Sequence, residues 1–243
     1  VFSADPRVVP RARKLDRVSY EEMLELAAAG AKVINIRAVE FARRHGVTLH
    51  VRSSFTEEWG TWVGAPEEGK NVEEPIIAGV TGDTSEAKIT VVGVPDIPGK
   101  AAEIFTIVAG AGANIDMIVQ NVSVHDTGRT DISFTLPKED GQRAVDALTA
   151  ARSDSGFESL IYDDKIGRLS VVGAGMRTNA GVSAQLFTAL SQAGINIEMI
   201  STSEIRISVI MREEILEDAV KVVHTAFGLD GDVDATVYAG TGR

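Results

Sequence analysis

Apolar and polar positions follow two different periods along this 243-residue chain. A helical spacing opens at Ser19-Tyr20-Glu21-Glu22. There the Ser19 hydroxyl can accept from the Glu22 N–H while the Glu22 carboxylate reaches back, a capping box. Met23, Leu24, Leu26 and Ala27 continue the stripe, and Gly30 is placed to stop it. A second helix is expected from about Ala31 to His45, stopped by Gly46. Val47, Leu49 and Val51 then alternate with Thr48, His50 and Arg52, the pattern of a half-buried strand. Two helices and one strand make a poor core by themselves. Residues 1–66 therefore read as the tail of a larger α/β domain.

Past a polar stretch from Glu67 to Pro75 the pattern occurs twice. Ile89-Thr90-Val91-Val92-Gly93 matches Leu169-Ser170-Val171-Val172-Gly173. Ala113-Asn114-Ile115-Asp116-Met117-Ile118 matches Ile195-Asn196-Ile197-Glu198-Met199-Ile200. The first copy predicts strand 88–94, helix 99–111, strand 115–123, a turn at Asp126-Thr127-Gly128, strand 129–136, helix 138–152 and strand 158–163. The second predicts strand 168–173, helix 180–193, strands 196–201 and 204–211, helix 213–227 and strand 233–239. The order βαββαβ, twice in tandem, is that of an α+β ferredoxin-like sandwich. The expected divisions are 1–66, a linker at 67–87 with a possible extra strand at Ile76–Val80, and two repeats at 88–164 and 165–243.

Charge narrows the partners. Lys and Arg number 24 against 35 Asp and Glu, a net charge of −11. That opposes binding to nucleic acid or to an anionic membrane, and no apolar run approaches transmembrane length. The acidic excess falls mostly after residue 75. With no cysteine there is no disulfide, thiolate ligand or cysteine nucleophile, which fits a reducing cytoplasm. The chain begins at Val1 without a signal-like stretch and reads as a piece of something longer.

Candidate chemistry centres on Pro95-Asp96-Ile97-Pro98-Gly99-Lys100-Ala101. Pro98 sets a helix start, Gly99 allows close backbone approach, and the free N–H groups of a helix N-terminus attract a carboxylate. Asp116 could neutralise an ammonium, while Asn114 and Gln120 could bond polar atoms. Together these groups suit a free amino acid; an ordinary strand–turn–helix with an Asp cap fits the same residues. The second copy offers Gly181-Val182-Ser183, Asn196-Ile197 and Ser203-Glu204, the last of which also reads as a plain hairpin turn. His45, His50, His125 and His224 lack metal-ligand spacing and suit surface or helix-end positions. Gly93 and Gly173-Ala174-Gly175 carry fragments of a dinucleotide fingerprint without its full spacing. No complete catalytic motif is present.

These residues carry a family resemblance. Val91-Val92-Gly93 through Gly99, Asn114-Ile115-Asp116-Met117 with Gln120-Asn121-Val122-Ser123, and Ile200-Ser201-Thr202-Ser203-Glu204-Ile205-Arg206 resemble the paired ACT domains of bacterial aspartate kinase. Phe2-Ser3-Ala4-Asp5-Pro6-Arg7 resembles the nucleotide loop late in the kinase domain, and Ser19 to Arg52 resembles that domain's last helices and strand. The resemblance implies a cytoplasmic phosphotransferase that moves the ATP γ-phosphate, with Mg, to the β-carboxylate of L-aspartate. It implies feedback inhibition by L-threonine and L-lysine bound between ACT domains. By residue, it implies a threonine site at Asp96, Ile97, Pro98, Gly99, Lys100, Ala101, Gln120, Asn196 and Ile197. A lysine site is implied at Asn114, Ile115, Asp116, Val182, Ser183, Ser203 and Glu204, and an ATP site including Phe2 to Arg7 and Lys32. It also implies a homo-oligomer through the ACT domains, or a hetero-oligomer with a full-length kinase chain.

Two departures qualify the resemblance. The family's lysine-glycine-glycine phosphate motif is not in this sequence, so the chain alone is expected to be inactive as a kinase. Arg177-Thr178-Asn179-Ala180-Gly181 replaces a serine-histidine-proline-glycine common in the family, next to the expected lysine site. A stand-alone amino-acid-binding regulatory subunit, begun internally near Val72, is the alternative.

Overall fold

A computed structural model describes residues 1–65, 77–121 and 128–235. The chain divides into two compact units, Val1–Asp83 with Arg168–Arg243, and Thr84–Gly167.

The first unit opens with β1 (Arg17–Ser19), α1 (Tyr20–Ala28), α2 (Ile36–His45), β2 (Leu49–Val51) and β3 (Thr61–Gly64). The capping box forms as expected. Ser19 Oγ accepts from the Glu22 N–H at 3.2 Å, and Glu22 Oε2 accepts from the Ser19 N–H at 3.1 Å. The second helix starts at Ile36, later than Ala31, because the Asn35 side chain caps it by accepting from the Arg37 N–H at 2.9 Å. Gly46, with φ of 65°, ends it as expected. Strands β1 and β3 were not legible in the sequence: each is too short to show alternation. They build a three-stranded sheet, β1-β3-β2, with β1 and β3 parallel. Met23, Leu26, Val39 and Val63 are buried beneath it.

Strand β4 (Gly79–Asp83) leads into the second unit. That unit comprises β5 (Glu86–Pro95), α3 (Lys100–Gly110), β6 (Ile118–Gln120), β7 (Arg129–Pro137), α4 (Lys138–Ala150), α5 (Arg152–Ser155) and β8 (Ser159–Asp163). Its sheet is antiparallel, in the order β6-β7-β5-β8. Ile89, Val91, Ile132 and Phe134 bury one face against Ile104, Val108 and Leu148 of the helices, the ferredoxin-like arrangement. The strand expected at 115–123 is shorter, and its last two residues lie outside the described residues, as do Asp126 and Thr127 of the expected turn.

The first unit resumes with β9 (Ile166–Val172), a 3₁₀ turn (Ala174–Arg177), α6 (Gly181–Gln192), β10 (Met199–Thr202), β11 (Arg206–Arg212), a second 3₁₀ turn (Glu213–Ile215) and α7 (Leu216–Ala226). Its sheet runs β10-β11-β9-β4. Among the described residues its fourth strand is β4, where 233–239 was expected. Residues 233–235 are not strand, and 236–239 lie outside the described residues. Strand β4 takes the place instead, antiparallel to β9 from Gly79↔Val172 to Asp83↔Arg168. The reason is space as well as pairing. A Cβ on Gly79 would approach the Ser3 carbonyl oxygen to 2.8 Å, and one on Gly82 would approach Val220 to 3.1 Å. Glycines let this strand sit between the N-terminal loop and α7. Residues 231–235 run beside 10–13, with Gly231 N–H to Arg11 O and Ala235 N–H to Pro10 O both at 2.7 Å.

Helix α1 lies over the other face of this second sheet. Val172 joins the cluster of Met23 and Leu26, Thr81 Oγ1 donates to the Ala29 carbonyl at 3.0 Å, and Arg168 donates to the Ala28 carbonyl at 3.0 Å. Side chains of the sheet thereby satisfy orphan carbonyls at the end of α1.

Candidate functional site

In the second unit the turn from β5 into α3 builds a cavity. The Asp96 N–H donates to Gly128 O at 2.8 Å, and the Ile97 N–H donates back to Pro95 O at 2.9 Å. Gly99 has φ of 98°, which only glycine adopts without strain, and α3 begins at the next residue. The cavity, about 300 Å³, is lined by Asp96 to Ala101 and Gln120 over a floor of Val94, Thr130 and Ile132. That volume is at the lower end for small-molecule sites. Lys100 is not a free cation: its Nζ donates to Glu103 Oε2 at 2.8 Å, which lowers the Glu103 pKa. Gln120 stands opposite Ile132 on β6 and is exposed. Sequence reasoning missed Thr130 and Ile132 because they lie on β7, distant in sequence from the turn.

Asn114 and Asp116 are not brought into this cavity. Both side chains are exposed, and the Asp116 N–H donates to Thr135 O at 3.0 Å. Ile115 packs against the core.

In the first unit Asn196 and Ile197 line an open hollow of about 420 Å³ with Phe187, Leu190 and Gly194. Val182 is buried in the core cluster, and its N–H donates to Asn179 O at 3.4 Å, so neither its side chain nor its N–H is offered to a ligand. Ser183 is exposed. Ser203 and Glu204 form the turn between β10 and β11, closed by the Ser203 N–H donating to Arg206 O at 2.8 Å. The Glu204 carboxylate pairs with Arg177 Nη2 at 2.8 Å. Arg177, a departure from the family's pattern, thus occupies the carboxylate beside it. The same region reaches α1: Glu22 Oε1 accepts from the Ala174 N–H at 2.9 Å, and Arg206 pairs with Glu25 at 3.1 Å.

The N-terminal loop divides into buried and exposed parts. Ser3 and Ala4 are buried, and Phe2 packs against the core. Asp5, Arg7 and Lys32 are exposed. Arg7 donates to both Asp5 carboxylate oxygens, at 2.6 Å from Nη2 and 3.0 Å from Nε, and this bonding holds the Asp5 carboxyl below its ordinary range. Ser3 Oγ lies 2.8 Å from His224 Nε2, and His224 Nδ1 lies 3.2 Å from Asp230 Oδ1. His224 does sit near a helix end, but it is wholly buried, not at the surface. Its spacing from Val220 and Val223 was the signal. Burial pushes its pKa down, against the pull of Asp230.

Among the described residues no cluster of His, Asp or Glu could hold a metal ion, and no helix is long and apolar enough to cross a membrane.

Two ferredoxin-like domains, both opening their first helix near a glycine-containing turn, follow a short α/β segment. The ACT domain model matches residues 89–151 and 169–227, and the amino acid kinase family model matches 1–53. The class is therefore a regulatory ACT pair behind the end of an amino acid kinase domain. The aspartokinase of Mycolicibacterium smegmatis is 55% identical over the whole chain, which spans 58% of that relative's length. The regulatory subunit of aspartate kinase from Thermus thermophilus, in its ligand-free form, is 40% identical with a TM-score of 0.59; the match covers 63% of this chain and 99% of that one. The fold alone is shared with aspartate kinase from Clostridium acetobutylicum, at 22% identity and a TM-score of 0.82, over 93% of this chain and 52% of that one. The chain belongs to the aspartokinase family and comprises its ACT regulatory region.

Proposed function

We propose that this chain senses end-product amino acids, L-threonine and L-lysine, and lowers aspartate phosphorylation by the kinase of which it is part. The observation that carries this reading is the cavity at the start of α3. Helix N–H groups beyond Gly99 face a carboxylate by charge and geometry. Asp96 and Gln120 add a counter-charge for an ammonium and a partner for a hydroxyl. Lys100 is neutralised by Glu103 and leaves the carboxylate to the backbone.

The parent activity is transfer of the ATP γ-phosphate to the β-carboxylate of L-aspartate. Residues of this chain would contribute to nucleotide binding only. Lys32 is an exposed cation suited to phosphate oxygens, Arg7 is exposed but would have to share its guanidinium with Asp5, and when bound the nucleotide supplies the transferred group. Without the phosphate motif of the family, this chain alone does not phosphorylate aspartate. Regulation is a coupling free energy, typically ~1–3 kcal/mol, or roughly 5–150-fold in affinity. The effector must bind two arrangements unequally. Sheet edges give the assembly its means of pairing chains. The match to a separate regulatory subunit supports a second reading, a product begun near Val72 that joins a full-length kinase chain; an N-terminal peptide starting there in cellular protein would establish it.

Calorimetric titration with threonine and lysine, separately and together, tests the sensor reading. Saturable threonine binding that Gln120→Ala weakens supports it. A folded chain that binds neither amino acid overturns it.

A further inference from the structure

The geometry points to His224, on a helix of the regulatory module, as a positioning residue for the nucleotide loop: it holds Ser3 so that the Asp5–Arg7 turn is presented to ATP. This rests on reading Phe2 to Arg7 as part of the nucleotide site.

Ser3 is 0% exposed and tied on every side. Its N–H donates to Arg13 O at 2.9 Å, and its carbonyl accepts from the Val80 N–H at 2.7 Å. Its Oγ accepts from the Arg13 N–H at 2.9 Å and lies 2.8 Å from His224 Nε2. The partners belong to the loop itself, to β4, to α7 and to Leu229 just after it. Asp230, 27% exposed, takes the Nδ1 side of the ring at 3.2 Å. A carboxylate there favours the tautomer with the proton on Nδ1, which leaves Nε2 to accept from the Ser3 hydroxyl at 2.8 Å, the shorter of that hydroxyl's two donor contacts, the other being the Leu229 carbonyl at 3.4 Å. The connectivity is that of a nucleophilic triad, but the buried hydroxyl admits no substrate. A directional chain of hydrogen bonds that cannot do chemistry can still fix a backbone.

What it fixes is the turn that follows. The Asp5 carbonyl accepts from the N–H groups of Val8 and Val9, both at 2.9 Å, and the Asp5 carboxylate binds Arg7. The turn is rigid within itself. Ala4 and Val9 seat it in the apolar cluster, which sets its depth, and the Ser3–His224 bond supplies direction.

The test uses steady-state kinetics of the full-length kinase carrying this segment. His224→Phe keeps the ring volume and removes both hydrogen bonds. It is expected to raise KM for ATP about tenfold, with kcat and KM for aspartate changed by less than about twofold. His224→Gln, whose amide reaches the Nε2 position, should recover most of the loss. Should His224→Phe fail to fold, His224→Leu also removes the ring's bond to Ser3 while leaving the Arg13 N–H to Ser3 Oγ bond in place, and should raise KM for ATP several-fold. An unchanged KM for ATP in the folded variant, or a loss of kcat and a rise of both KM values by similar factors, overturns the inference. Arg7→Ala separates the two layers. If Arg7→Ala raises KM for ATP and His224→Phe does not, the positioning role fails alone. If Arg7→Ala has no effect, the loop reading fails and the inference with it.

Discussion

The Arg168 guanidinium, 3% exposed, donates to the Asp83 carboxylate at 3.2 Å, joining the inner strand β9 to the edge strand β4. The same group donates to the Ala28 carbonyl at the end of α1, so one buried cation ties two strands and a helix of the kinase-like segment. Removing one partner of such a pair leaves a buried charge uncompensated, at a cost of ~3–5 kcal/mol. Asp83→Asn is therefore expected to lower the urea midpoint sharply, and Arg168→Met with Asp83→Leu to recover much of the loss. Equal midpoints for wild type and Asp83→Asn would show the pair to be dispensable.

Gly99 faces open space, since an added Cβ meets nothing within 4 Å. Any penalty for Gly99→Ala is thus backbone strain at φ of 98°, ~1–2 kcal/mol. Relief of that strain would turn the N–H groups at the start of α3 away from the cavity. Calorimetry should record weaker threonine binding alongside a lower melting temperature. Full affinity in this variant would place the effector elsewhere.

His224 makes stability depend on pH. Its folded pKa is lowered from 6.5 by burial, so in mildly acid solution the unfolded chain binds more protons than the folded one. Stability then rises with pH across that window. The contribution is complete above about 6.5 and is lost as pH falls through the folded value. Denaturant titrations at pH 5 and pH 7.5 should differ more in the wild type than in His224→Gln. A histidine-independent difference would assign the slope to other groups.

Arg206 follows the Ser203-Glu204 turn and pairs with Glu25 of α1 at 3.1 Å, both partly buried. If lysine binding at that turn is felt by the kinase through α1, Arg206→Gln should weaken inhibition by lysine several-fold while leaving calorimetric lysine binding within about twofold. Parallel loss of binding and inhibition would make Arg206 part of the site and not of the relay.

Features that depend on near neighbours were readable from the residues alone. The twofold occurrence of strand, helix and strand, the capping box at Ser19 and the glycine-turned helix start at Gly99 all arise from residues within about one turn of each other, where period and backbone preference act directly. Asn35 shows the limit even there: the stripe extended the helix to Ala31, while a side-chain cap set its start at Ile36. Only the tertiary structure decided which strand closes the second sheet. The sequence offered an extra strand at 76–80 as well as one at 233–239; in the fold Gly79–Asp83 pairs with β9, through glycines that fit against Ser3 and Val220. Only the fold brought Gln120 to the cavity without Asp116, and sank Val182 into the core. The bond between Ser3 and His224 spans 221 residues. No local period encodes such a contact, because its geometry is fixed by the packing of first-unit elements far apart in sequence.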